Sequence, residues 1–96
     1  MKVSNMQSSK GHPVPNQLVI NTPDATYFQS YDSVIVKTTF EDGERVVYLD
    51  ETYWNYSRTT SKYRNSFLGE STKETQRKID AGTYKLADLQ NDPAMK

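Results

Sequence analysis

The 96-residue chain contains no cysteine, one histidine and four glycines that stand apart from one another. Without cysteine there is no disulfide, no thiolate nucleophile and no sulfur-ligated zinc or iron-sulfur site. The single histidine, His12, stands beside Pro13 in a polar segment, which argues for an exposed loop residue over a rigidly held general base. The glycines at 11, 43, 69 and 82 never cluster, so a glycine-rich phosphate loop is missing. Charge of one sign is missing too. Twelve basic residues balance twelve acidic ones, which removes the long-range field that gathers nucleic acid or anionic membrane onto a strongly basic protein. No stretch approaches the roughly 20 apolar residues of a membrane span, so no membrane association is expected. Carboxylates are present, but Asp24, Asp32, Asp42 and Asp50 fall at turn or cap positions, and Asp50-Glu51 is the one adjacent acidic pair near the aromatic cluster. These absences weigh against an enzyme, and nothing in the composition implies a cofactor.

What is present reads as one α+β domain. Hydrophobic residues reach only 34%, below an ordinary globular chain, and the aromatic residues must supply much of the buried area. Residues 1–16 are polar, carry Pro13 and Pro15, and read as a flexible arm. A four-stranded antiparallel meander is expected at about 17–22, 26–31, 33–40 and 44–49. Its best signals are the β-branched run "SVIVKTTF" and the Asp42-Gly43 dipeptide, which suits a hairpin turn needing two residues of positive φ. The period then lengthens. Ser57 is placed to cap a helix ended by Gly69, and "STKE" at 71–74 forms a capping box opening a second helix that Gly82 ends. Both helices are expected on one face of the sheet, with the other face as a working surface. A short strand or extended segment, "TYKLADL", places Tyr84, Leu86 and Leu89 on the core, and residues 91–96 are expected to fray.

The densest chemistry lies in "YWNYSRTTSKYRNSFLGE", residues 53–70. Helical spacing puts Tyr56, Thr60, Tyr63 and Phe67 on an inward stripe and Arg58, Ser61, Lys62 and Asn65 outward, with Arg64 at the stripe's edge. Hydroxyls at a helix start, cations beside them and aromatic rings nearby are the ingredients of a phosphate or nucleotide site. The same residues also make an ordinary amphipathic helix. As a candidate contact surface we take Tyr53, Trp54, Tyr56, Ser57, Arg58, Thr59, Thr60, Lys62, Tyr63 and Arg64.

The segments "YFQSYDSVIVK", "YLDETYWNYSRTTSKYRNSFLGES" and "TQRKIDAGTYKLADL" resemble a family of small uncharacterised proteins of tailed bacteriophages and their prophages. The resemblance implies a setting in the cytoplasm of an infected bacterium and carries no activity with it. In that setting the expected role is a non-enzymatic binding protein of counter-defence, which blocks a host defence protein or sequesters a nucleotide-like signal. The alternative is a DNA- or RNA-binding accessory of phage replication or transcription. A strand edge or aromatic sheet face in so small a domain also favours self-association into a homo-oligomer.

Overall fold

The computed structural model describes residues 1–93. It contains a six-stranded sheet in the order of the sequence: β1 (Lys2–Gln7), β2 (Pro13–Asn21), β3 (Ala25–Ser30), β4 (Ser33–Glu41), β5 (Glu44–Asp50) and β6 (Tyr84–Ala87). The first five pair antiparallel, and β6 pairs parallel to β5. Between β5 and β6 run α1 (Arg58–Leu68) and α2 (Thr72–Asp80). A parallel neighbour demands such a crossover, because the chain must return to the end where it started.

The sheet is therefore larger than the expected four strands. The segment read as an arm is not one: Lys2–Gln7 forms the outermost strand, and residues 13–16 begin β2. Nearly every residue of β1 is exposed. Its place in the sheet comes from backbone hydrogen bonds, which leave no alternation of apolar and polar residues to read. Gly11, at φ 78°, closes the turn into β2 with its N–H on the Ser8 carbonyl, and exposed His12 lies in that turn. At the β4–β5 hairpin, Asp42 and Gly43 both adopt positive φ, 55° and 81°, as the dipeptide predicts.

The helices cover one face, where Phe28, Ile35, Val36, Val47, Leu49, Tyr63 and Tyr84 are buried together. A bulge opposite β3, where Phe28 pairs with Val36 and Gln29 with Val34, leaves Ile35 as the extra residue and lets Ile35 and Val36 join the same core. Phe67 of α1 stacks on Phe28, ring centroids 5.8 Å apart. Tyr56 and Leu86, both expected inside, are exposed. Tyr56 precedes the Ser57 cap, so helical periodicity does not yet govern it, and Leu86 lies on the edge strand.

The opposite face is not bare. A 3-10 turn at Leu89–Asn91 inserts Leu89 against Ile20, Ala25, Tyr27 and Val34. Buried Asp50 directs this strap. Its carboxylate accepts the Leu89 N–H at 3.0 Å and the Thr52 and Tyr53 N–H groups at 3.0 and 2.8 Å, joining the end of β5, the turn after it and the C-terminal segment. Gln90 then stands in for a strand at the bulge: its Oε1 accepts from Val34 N–H (2.9 Å) and its Nε2 donates to Val34 C=O (2.6 Å). The fraying expected at 91–96 fails at its start, since Asn91 belongs to the turn and the Asp92 carboxylate meets Lys37 Nζ at 2.8 Å. Residues 94–96 lie outside the described residues. No helix among the described residues is long and apolar enough to cross a membrane.

Replacing Gln90 with Ala removes both side-chain bonds and leaves the Val34 amide group without its partner. Loss of about 2 kcal/mol is expected in urea unfolding, against a change within about 0.5 kcal/mol for the exposed Gln76→Ala.

Candidate functional site

Ser57 starts α1 as the sequence predicts: its Oγ accepts the Thr60 N–H at 3.1 Å, and Gly69 ends the helix in the left-handed conformation. This start fixes the helix rotation, and rotation decides which candidate residues face solvent. Tyr63 is buried in the core. Thr60 is buried and its hydroxyl meets that of Ser30 at 2.8 Å. Tyr53 and Trp54 pack half-buried against the core. Thr59 is exposed.

Arg64 departs most from expectation. It is fully buried. One terminal nitrogen donates to the Trp54 carbonyl, to Asn55 Oδ1 at 3.1 Å and, at 3.3 Å, to Ser61 Oγ. The other donates to Asn65 Oδ1 at 2.9 Å and Thr72 Oγ1 at 2.7 Å. The Trp54 ring lies 5.0 Å from the guanidinium carbon. Every one of these contacts is to a neutral group, and among the described residues Arg64 makes no ion pair. Burial lowers the guanidinium's hold on its proton, and only the more distant charge of Glu70 opposes that effect. The residue expected to reach a ligand instead organises the surface beneath one.

Above it lies an open groove of about 600 Å³. The loop side is formed by Asn55, Tyr56 and Ser57, and the helix side by Arg58, Ser61, Lys62 and Asn65. Asn55, Ser61 and Asn65 are thus shared between the groove and the buried Arg64, and Ser61 Oγ also donates to Asn55 Oδ1 at 2.7 Å. Between Glu51 and Glu70 the chain carries three cations and no acidic residue, so no carboxylate in this stretch cancels them. Of the expected site residues, Tyr56, Ser57, Arg58 and Lys62 are brought together here. Thr59 is not among the lining, and Tyr53, Trp54, Thr60, Tyr63 and Arg64 are supports. Asn55 was not legible as a site residue, because its role depends on a bond to a side chain nine positions on.

A second polar cluster anchors the far end of α1. Glu70 accepts from the Tyr84 hydroxyl (2.6 Å), Lys78 (2.7 Å) and the Thr75 hydroxyl (2.6 Å). Burial raises its pKa, but these hydrogen bonds and the Lys78 charge together outweigh that and leave the carboxyl below its ordinary value of 4.5. A carboxyl depressed in the folded state contributes stability that is complete above the ordinary value and is lost as pH falls through the lower folded value. Glu70→Gln is therefore expected to cost stability at neutral pH and to flatten the acid limb of the stability–pH curve below 4.5, followed by urea unfolding across pH. In the same assay Arg64→Lys, whose single ammonium cannot serve both arms of the network, is expected to lose about 2 kcal/mol, whereas Arg58→Ala stays within about 0.5 kcal/mol.

No curated protein and no solved structure matches the chain. One family model does, over residues 1–82, a span that contains β1 to β5, both helices and every residue of the groove. The chain belongs to a family of unknown function, DUF8033.

Proposed function

We propose that this protein is a non-enzymatic binding protein whose α1 groove takes an anionic, nucleotide-like small molecule. One observation carries the reading: a buried Arg64, in no ion pair among the described residues, holds Asn55, Ser61 and Asn65 from below, while Arg58 and Lys62 flank the same groove from above. A buried cation without a counter-ion costs free energy, and an anion placed over it returns part of that cost. The groove begins at the N-terminus of an 11-residue helix, whose dipole favours negative charge. Phosphate oxygens suit the Arg58 and Lys62 donors. Exposed Tyr56 offers a ring face on which a base can stack.

The volume fits a mononucleotide within the usual range of small-molecule sites. A long nucleic acid is less well served, since the three cations form one local patch and the chain as a whole is neutral. In the bacteriophage setting implied by the resemblance, such a protein would act in counter-defence by withdrawing a nucleotide signal from its host receptor.

Calorimetric titration with AMP, ATP and inorganic phosphate tests the reading. Binding of the nucleotides is expected, weakened about tenfold or more by Arg58→Ala or Lys62→Ala with the thermal midpoint unchanged. Tyr56→Ala should weaken AMP and ATP and leave phosphate alone. No heat from any of the three, or binding that ignores both cation substitutions, rejects it. Tighter binding of single-stranded DNA, with a steep fall as salt rises, would favour the nucleic-acid reading instead.

A further inference from the structure

We propose that the outer edge of β1 is a dimer interface that pairs with the same strand of a second copy. The hydrogen-bond alternation identifies which backbone groups are free. Thr22 N–H donates to Ala25 C=O and Tyr31 N–H to Asn16 C=O, so the even-numbered residues of β2 bond toward β3. Val19 and Asn21 therefore bond toward β1, through their partners Ser4 and Lys2. The N–H and C=O groups of Val3 and Asn5 consequently point outward, away from the sheet.

This outward row is self-complementary. An antiparallel pairing centred on Ser4 sets Val3 opposite Asn5 of the second copy and Asn5 opposite its Val3, two bonded pairs that exchange four backbone hydrogen bonds. Lys2, the only charged residue of the strand, then faces Met6 and never another lysine. The devices that usually guard an edge are nearly absent from Lys2–Asn5: there is no proline and no acidic residue, and the bulge comes only after Asn5. Net neutrality removes repulsion between copies. A strand from another protein would meet the same backbone, but the register that avoids every like-charge contact is one this strand supplies to itself. Val3 is half exposed beside buried Ile20, and pairing covers its free flank with Asn5 of the second copy. The opposite edge, β6, is a poorer template, with four residues and exposed Lys85 among them. A twofold axis normal to the sheet keeps both α1 grooves on the same side of a continuous twelve-stranded sheet, each groove complete within its own copy.

Light scattering coupled to size-exclusion chromatography, run from micromolar to millimolar concentration, is expected to give twice the chain mass of 11.0 kDa. Val3→Pro removes an outward N–H while keeping every bond to β2, and is expected to yield a folded monomer by mass and circular dichroism. Leu86→Pro, which removes an outward N–H from the other edge while Lys85 and Ala87 keep their bonds to β5, should remain a dimer. Hydrogen exchange of the unsubstituted protein reads the same interface without a variant, through protected amides at Val3 and Asn5. A monomer at every concentration, a folded Val3→Pro dimer, or rapid exchange at both amides in a dimeric sample overturns the proposal.

Discussion

A guanidinium group removed from water and surrounded by neutral acceptors sets the arrangement of the helical half of this protein. Arg64 needs its acceptors in fixed places, because a buried cation that loses one cannot turn to solvent for another. Those acceptors come from the loop at Trp54 and Asn55, from α1 at Ser61 and Asn65, and from the first residue of α2 at Thr72. Three segments are thereby locked to one another by polar contacts in addition to the core they share. With Arg64, Thr60 and Tyr63 turned inward, Arg58 and Lys62 have only the outer side of the helix left. The chemistry of the groove is thus a by-product of how the helix is held.

The strand half follows a different logic. Its two faces are closed by unlike devices: helices supply aromatic rings on one side, and a strap about five residues long supplies a single leucine on the other. Asp50 coordinates both, since one oxygen caps the turn leading to α1 and the other holds the strap. The bulge at Ile35 sharpens the dependence. It directs two neighbouring side chains into one core and leaves Val34 with polar groups that Gln90 satisfies.

The parts legible in the sequence are those governed by local physics. Asp42-Gly43, Ser57, Gly69 and Gly82 mark turns and caps through their own side chains or backbone freedom, and the structure uses each of them as expected, whereas of "STKE" it uses the Ser71 cap and turns the Glu74 carboxylate to Arg77. The β-branched run of β4 declares itself in the same way. What escaped is governed by distant partners. β1 is wet on both faces, so its polar sequence is indistinguishable from a loose arm. Tyr27 is buried with Leu89, 62 positions later in the chain, a contact that no local pattern announces. Arg64 on a helix with Arg58 and Lys62 reads as a third surface cation, because nothing in its own neighbourhood announces a cage of amides and hydroxyls. Ser61 and Asn65 were correctly placed outward by periodicity, and their second role as acceptors for Arg64 was beyond its reach.

The parallel register of β6 has a consequence for how the chain reaches this state. The five antiparallel strands join neighbours through short turns, so their contacts are close in sequence and form early at small entropic cost. β6 instead closes a loop that contains the whole of α1 and α2, and its partner groups on β5 stay open until that segment is compact. The order of assembly is therefore written into the topology: the meander first, the helical crossover next, and the final strand with its strap as the latch. Because β5 is a sheet edge until the latch arrives, the dangerous interval for misassembly is the one between the second stage and the third.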